Sequence, residues 1–335
     1  MMEFHEFCDY LKDHVKEYLP PEYDSATVIM KEIQKNNGTE LMGLSIRTED
    51  SPISPNIYLN NYYQEYRQGM DVELALERIA EVYLQHKEPS EALSSIAQDF
   101  QDVDYIKSHI VIGLVNAEKN AKMLEDMPHR LKEDLAIIYK VFIGSQDDCV
   151  ATVTVKDAHM KEWGISPNEL HECAMKNSRE LMPVQVEDIG SVLSAMGMPV
   201  EMFGQSREPM LYVISNAQKC NGAAAILYSD CLQELSEKLG SDLYILPSSV
   251  HETLALAASG ETNVESLAQM VREVNATQVS EQEQLSDHVY RYDARARSLT
   301  LADVSAKDLK IGGASEEQPE GETKNAEAAR PRRHR

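Results

Sequence analysis

Apolar residues recur at helical spacing in several stretches of the chain. The first stretch covers residues 4–18 and stops before Pro20, because a proline ring does not continue a helix. A second apolar stripe runs through residues 72–83 directly after Asp71, a residue type that caps helix starts. The same reasoning predicts further helices at residues 92–100, 120–126, 166–174, 187–195, 229–239 and 264–274.

Other stretches combine apolar and β-branched residues and are separated by turn sequences. Asn36-Asn37-Gly38 lies between two of them, which predicts a β-hairpin of residues 26–33 and 40–47. Residues 53–59 are a candidate third strand, and residues 106–115 fit a strand or a helix. Further predicted hairpins pair residues 135–143 with 149–155, 210–215 with 223–228 around Asn221-Gly222, and 289–292 with 298–301. Residues 243–246 are apolar without a break, which predicts a central strand.

Short antiparallel hairpins therefore alternate with helices, an order typical of an α+β fold and not of a doubly wound parallel sheet. We expect an N-terminal α+β region at residues 1–127 and a C-terminal α+β region at residues 128–305. Residues 306–335 lose all apolar periodicity and are rich in Gly, Glu, Ala and Lys. They are expected to form a disordered tail.

The charge balance restricts the partners of the chain. Of its 335 residues 42% are hydrophobic and 26% are charged, and the formal net charge is −24. Residues 311–335 hold five acidic and five basic side chains, so the rest of the chain carries the negative charge. Such a charge opposes binding to duplex nucleic acid and to anionic membranes. A solvated acidic surface is the interpretation we prefer over a mimic of nucleic acid or a binder of basic partners.

Location and redox state follow from what the sequence lacks. The N-terminus has no basic and apolar signal segment, and no stretch is long enough to span a membrane. Five cysteines, an odd number without a C-x-x-C pair, indicate reduced thiols. The expected location is the cytoplasm.

Two segments, residues 242–252 and 286–292, carry side chains with candidate chemistry. Glycine-rich phosphate loops, the zinc-protease H-E-x-x-H helix and the G-x-S-x-G turn are all absent, so we expect no cofactor and no metal. The strand at residues 243–246 runs into Ser248 and Ser249, and His251 follows. With His288 further along the chain, these residues could supply a nucleophile and a base. The alternative is a structural corner in which the serines bind backbone N–H groups.

Several segments resemble one protein family. The most specific is GSDLYILPSSVHE at residues 240–252, and the others lie at residues 58–63, 128–130, 134–136, 159–164, 221–224, 227–228 and 286–290. Together they are similar to intracellular Firmicutes proteins that carry a domain of unknown function. The resemblance extends from near residue 1 to about residue 305. It implies a cytoplasmic bacterial protein, and it implies no activity, ligand or catalytic residue.

Three functions remain in competition. The first is a non-catalytic cytoplasmic protein that acts by binding another protein, and we prefer it because no catalytic motif is present. The second is a hydrolase or transferase with a site at Ser248, Ser249 and His251, together with His288. The third, a nucleic-acid mimic, requires the acidic side chains to form one stripe, whereas Lys and Arg are interleaved with them.

Overall fold

A computed structural model of the chain describes residues 1–48, 54–86, 100–146, 149–195, 211–258 and 263–304. Its helices are α1 (Phe4–His14), α2 (Leu59–Arg67), α3 (Val72–His86), α4 (Val103–His109), α5 (Ala121–Leu124), α6 (Asp157–Trp163), α7 (Pro167–Leu181), α8 (Ile189–Ala195), α9 (Ser229–Leu239) and α10 (Val264–Thr277). Its strands are β1 (Thr27–Gln34), β2 (Glu40–Arg47), β3 (Ile57–Tyr58), β4 (Ile110–Asn116), β5 (His129–Lys132), β6 (Leu135–Gln146), β7 (Cys149–Thr154), β8 (Val184–Asp188), β9 (Tyr212–Asn216), β10 (Leu243–Leu246), β11 (Thr253–Ala257), β12 (Tyr290–Asp293) and β13 (Ser298–Leu301). Antiparallel sheets alternate with helices, so the predicted α+β class is confirmed.

The first sheet has the order β1-β2-β3 and packs against α1, α2 and α3. The hairpin of β1 and β2 runs from Thr27 opposite Arg47 to Gln34 opposite Glu40, as predicted. The apolar cluster between sheet and helices is drawn entirely from residues 7–83. This part of the chain therefore has a core of its own.

The second sheet is built around the long strand β6. Strands β4 and β5 pair with it along its first half, and β7 pairs with it beyond Lys140. The predicted hairpin of residues 135–143 and 149–155 corresponds to β6 and β7. Every residue of β4 is buried. The Ile112 N–H donates to Ser178 Oγ of α7 at 2.8 Å, so α7 covers the edge of β4 that does not pair with β6.

The third sheet has six strands in the order β13-β12-β10-β11-β9-β8. Strand β10 is flanked by β11 and β12, which agrees with the central position predicted for residues 243–246. Strands β12 and β13 form the predicted last hairpin. Strand β8 ends the sheet on the other side and, within the part of the chain that the structure describes, pairs only with β9.

A buried pair of asparagine side chains links the first sheet to the remainder of the molecule. Asn37 lies in the turn between β1 and β2 in a left-handed conformation, with a φ of 58°. Its N–H donates to Asn120 Oδ1 at 2.8 Å, and the Asn120 amide donates back to Asn37 Oδ1 at 2.9 Å. The Asn37 amide also donates to the carbonyl oxygens of Glu281 and Gln284, both at 2.7 Å. Three distant segments therefore meet at one asparagine.

One predicted hairpin is wrong. Residues 210–215 largely match β9, but Gly222–Leu227 is a 3₁₀-helix and not the second strand. Strand β9 already pairs with β8 on one side and β11 on the other, so no edge of β9 remains for residues 223–228. Asn221 does adopt the left-handed conformation that an Asn-Gly turn suggests, with a φ of 53°.

Other boundaries also differ from the predictions. Residues 106–115 are neither one strand nor one helix, because α4 ends at His109 and β4 begins at the next residue. The helix predicted at residues 187–195 begins at Ile189, after β8, and Asp188 binds the Ser191 N–H at 2.9 Å. Strands β5, β8 and β11 were not anticipated from the sequence.

The predicted division into two folded regions stays a prediction. Residues 1–303 form one compact unit. Strand β4 lies before the predicted boundary at residues 127 and 128 and pairs with β6, which lies after it. The helix predicted at residues 92–100 and the tail at 306–335 lie outside the described residues, except for Phe100.

The tightest packing around a described glycine leads to the first test. A Cβ atom on Gly222 would lie 2.2 Å from Ser215 Oγ, 2.6 Å from the His251 carbonyl oxygen and 2.7 Å from the Asn216 nitrogen. We expect Gly222→Ala to lower the free energy of unfolding by about 3 kcal/mol or more, because two backbone segments must move. Urea denaturation measures this loss.

Gly164→Ala is the matched control. Gly164 has a φ of +65° but nothing within 4 Å of its Cβ position, so only the backbone conformation opposes the alanine. Gly164→Ala should lower the free energy of unfolding by about 1–2 kcal/mol. An equal loss in both variants would show that crowding at Gly222 does not matter.

Candidate functional site

The candidate residues at 248–251 form the connection between β10 and β11. The Ser248 carbonyl oxygen accepts from the Leu285 N–H at 3.1 Å, and the Val250 N–H donates to the Glu283 carbonyl oxygen at 2.8 Å. Ser249 is bridged to Gln284 in the same antiparallel pairing. This connection is therefore fixed along a second chain segment and forms a corner of the fold.

Ser249 and His251 interact with backbone groups of neighbouring turns. Ser249 Oγ accepts from the His251 N–H at 3.0 Å, and His251 Nδ1 accepts from the Asn221 N–H at 3.3 Å. His251 Nε2 lies 3.9 Å from a carboxylate oxygen of Glu283. Among the described hydrogen bonds, none joins the hydroxyl of Ser248 or Ser249 to an imidazole nitrogen.

His288 belongs to a separate polar cluster. Its Nδ1 lies 3.1 Å from a carboxylate oxygen of Asp303, and its N–H donates to Ser286 Oγ at 3.1 Å. Ser286 Oγ in turn donates to Asp134 at 2.7 Å, and Asp134 also accepts from the Tyr290 hydroxyl. The catalytic roles considered for Ser248, Ser249, His251 and His288 stay predictions.

The corner also meets side chains that sequence reasoning did not select. The Asn221 amide donates to Cys220 Sγ at 3.2 Å, and its oxygen accepts from Lys140 Nζ at 2.9 Å. Desolvation lowers the pKa of Lys140; the nearby Cys220 opposes this shift and Lys35 adds to it. Nothing in the sequence around Lys140 indicated this contact, because strand pairing brings β6 to a turn that lies 81 residues away.

A groove at the end of the third sheet is large enough for a ligand. It lies between strand β8 and helix α9 and has a volume of about 500 Å³, within the range of ligand sites. We call it the edge groove. It is lined by Arg179, Pro183, Val184, Val186, Tyr228, Asp230, Cys231, Glu234, Leu235 and Lys238. None of the four residues selected from the sequence is among them.

The residues that line the edge groove follow the periods of their elements. Val184 and Val186 are two apart on β8 and share one face of the strand. Cys231, Leu235 and Lys238 are spaced so that they share one face of α9. The groove is therefore the space between one strand face and one helix face, and periodicity alone could have indicated both of these faces.

Charged groups at the edge groove form a defined set of contacts. The Arg179 guanidinium holds Asp230 with two bonds of 2.5 and 2.9 Å and lies 4.5 Å from the ring centre of Tyr228. The bond from Arg179 lowers the pKa of Asp230. Lys238 Nζ lies 4.7 Å from the ring centre of Tyr212. Within the described part of the chain, Glu234 forms no ion pair.

The ionisable groups of the edge groove are poorly suited to nucleophilic chemistry. Burial, with the charges of Asp230 and Glu234, raises the pKa of the Cys231 thiol to about 11. Burial also raises the pKa of the Tyr228 hydroxyl. Both groups are therefore protonated near neutral pH, when a nucleophile must be ionised or paired with a base.

A cavity of about 10 Å³ lies close to the edge groove and shares Val184 and Tyr228 with it. Asn221 and Gly222 line its other side. This cavity therefore lies between two lining residues of the edge groove, Val184 and Tyr228, and the turn at Asn221-Gly222 that His251 contacts.

Among the described residues, no group of three or more His, Cys, Asp or Glu side chains is arranged to hold a metal ion. No described helix combines the length and the apolar character that a membrane crossing requires. The four cysteines whose side chains are described form no disulfide with one another.

Fold and groove together define an α+β protein with a ligand-sized hollow at the edge of a sheet. The chain belongs to a protein family described as a family of unknown function (DUF5688), which matches residues 4–294. The resemblance found from the sequence is thereby confirmed, while the Firmicutes origin stays a prediction. No curated protein and no solved structure matches the chain.

The contact between His288 and Asp303 predicts how stability depends on pH. The hydrogen bond to Asp303 raises the pKa of His288, desolvation opposes this, and the charges of Asp303, Asp134 and Asp287 add to it. The unfolded value is about 6.5. Because the folded pKa is the higher one, the stabilisation is complete below about pH 6.5 and is lost as the pH rises through the folded pKa.

Urea unfolding of His288→Gln at several pH values tests this sign. The deficit relative to the unmodified protein should be largest at low pH and shrink as the pH rises. Asp303→Asn keeps the shape of the partner without its charge and should remove the same pH-dependent part. A deficit that grows with rising pH would contradict the assignment.

His251 provides a test that separates structure from catalysis. His251→Ala leaves the half-buried Asn221 N–H without its acceptor and should lower the free energy of unfolding by about 1–3 kcal/mol. His251→Asn offers an oxygen near the position of Nδ1 and should restore most of this loss. Thermal unfolding and a growth phenotype are measured for both variants. Full stability of His251→Asn together with a null phenotype would favour the hydrolase or transferase alternative.

Proposed function

We propose that this protein binds a protein partner in the edge groove and catalyses no reaction. The observation that carries the proposal is a hollow of about 500 Å³ beside a strand that, in the described chain, pairs on one side only. Both features are typical of surfaces that receive another chain.

The composition of the groove supports binding. Val184 and Val186 provide apolar surface, and Leu235, only 4% exposed, adds to the apolar lining. The pair of Arg179 and Asp230 supplies polar contacts, as does Glu234, which forms no ion pair among the described residues. Val186 is 39% exposed, although it is a large apolar side chain at the end of a sheet. Covering such surface is favourable at about 25 cal/mol per Å².

The hydrolase or transferase alternative has less support from the geometry. Its candidate residues lie at the corner after β10 and beside Asp303, and they do not line the edge groove. The hydrogen bonds of Ser249 and His251 tie backbone segments together, which is a structural use of these side chains.

The setting that we propose is the cytoplasm, and the partner is not duplex nucleic acid. Reduced cysteines suit a reducing compartment, and the four with described side chains lie apart from one another. The net charge of −24 opposes a phosphate backbone.

A photoreactive amino acid at Lys238 tests the proposal in the native cell. We expect one protein to be cross-linked at this position and none from the same probe at Met270, which is 52% exposed but lies outside the groove lining. The affinity for that protein is then measured with purified components. Val186→Arg fills the groove and should weaken binding by at least about tenfold.

Gln185→Arg is the matched control for Val186→Arg. It makes the same charge change one residue away, where the side chain points to the opposite face of β8. Its affinity should stay within about twofold of the unmodified protein. If Val186→Arg and Gln185→Arg bind the cross-linked protein with the same affinity, the edge groove is not the binding site. Cross-linking at Met270 alone would also refute it.

A further inference from the structure

The hydrogen bonds of β8 define which of its backbone groups point away from the sheet. The Ala217 N–H donates to the Pro183 carbonyl oxygen, and the Ile189 N–H donates to the Leu211 carbonyl oxygen, both at 2.9 Å. In an antiparallel pair, inward and outward backbone groups alternate along each strand. Gln185 and Glu187 therefore bond to β9. The N–H and C=O groups of Val184, Val186 and Asp188 face the other edge of β8, along which no described strand pairs.

The same residues also point their side chains to the groove. Val184 and Val186 line it, and the intervening Gln185 does not. A strand added at this edge would have its residues directly opposite Val184 and Val186. Directly opposite residues project their side chains to the same face of a sheet, so alternate side chains of the added strand would project over the groove.

The charge around the edge groove favours a basic partner. Glu234 is an exposed carboxylate of the groove and has no ion pair among the described residues. Glu187 is exposed on β8, and the chain as a whole has a net charge of −24. The lining also holds two cations: Arg179 is paired with Asp230, and the ammonium group of Lys238 lies 4.7 Å from the ring centre of Tyr212.

We propose that an extended segment of a protein partner adds to the sheet as a strand along Val184–Asp188. Its alternate apolar side chains enter the edge groove between Val186 and Leu235, and a Lys or Arg side chain pairs with Glu234. The five residues of β8 correspond to roughly 17 Å of extended chain. The proposal rests on the function proposed above and specifies the conformation and the chemistry of the segment that is bound.

A small molecule or a helix would use the groove differently. Either could cover Val186 and Leu235, but neither would need the outward N–H and C=O groups of Val186. Strand addition depends on those groups, because main-chain hydrogen bonds supply its affinity and side-chain pockets its specificity. The backbone of Val186 therefore distinguishes the three occupants.

The test uses a random peptide library displayed on phage and panned against the full chain. We expect the selected peptides to alternate apolar residues with other residues and to contain Lys or Arg. One selected peptide is then synthesised with and without an N-methyl group on the residue that pairs with Val186. The N-methyl peptide should bind at least about tenfold more weakly in calorimetric titration.

Val186→Pro tests the same bond from the protein side. The N–H it removes faces the open edge, so the pairing of β8 with β9 is kept, and proline is tolerated at such edge positions. Binding should fall by at least about tenfold, whereas Val186→Ala, which removes only side-chain atoms, should lose less. Glu234→Gln should weaken binding of basic peptides and reduce its dependence on salt concentration.

The outcomes separate this inference from the proposed function. Unchanged affinity of the N-methyl peptide, or a selected consensus with helical spacing, overturns strand addition. If Val186→Arg still weakens binding of the cross-linked partner in that case, the groove remains the binding site. If Val186→Arg has no effect either, both proposals fail. If Val186→Pro does not fold, strand addition is tested by the affinity of the N-methyl peptide for the unmodified protein.

Discussion

The lack of space for a side chain at Gly222 constrains how strand β9, the corner after β10 and the 3₁₀-helix at Gly222–Leu227 pack against one another. Strand β9, the corner after β10 and the start of a 3₁₀-helix meet there, with Ser215, Asn216 and His251 within 2.2–2.7 Å of where a Cβ atom would be. Ser215 Oγ donates to the His251 carbonyl oxygen at 2.8 Å across this contact. Only a residue without a side chain lets these segments approach so closely.

The position of the edge groove follows from that contact. The 3₁₀-helix that begins at Gly222 leads through Tyr228 directly into α9, which forms one wall of the groove. Strand β9 carries β8, the other wall, on its far side. Both walls are thus connected by a few residues to the same crowded turn.

The sequence predicted the elements whose signals are local. Periodicity located seven of the described helices but not α2, α4 and α6. The hairpins of β1 with β2 and of β6 with β7 were found because the turn and both strands lie within a short stretch. Strands β5 and β11 have only four and five residues, and β5 joins β6 through Glu133 and Asp134, a turn without glycine, so neither strand has a strong local signal. Strand β8 did alternate Val184 and Val186 with polar residues, but the helix signal that follows it obscured this pattern. The candidate site was missed for a related reason, since its two walls come from separate elements.

An open sheet edge is a hazard for most proteins, because it can pair with another copy of the same chain. The features around β8 oppose that outcome. Pro183 immediately precedes the strand, Glu187 is charged and exposed, and a net charge of −24 makes two copies repel each other. The same charges attract a basic chain. A strand that, among the described residues, pairs on one side only is therefore protected against a second copy of this acidic chain, and the same features suit the unlike partner that we propose.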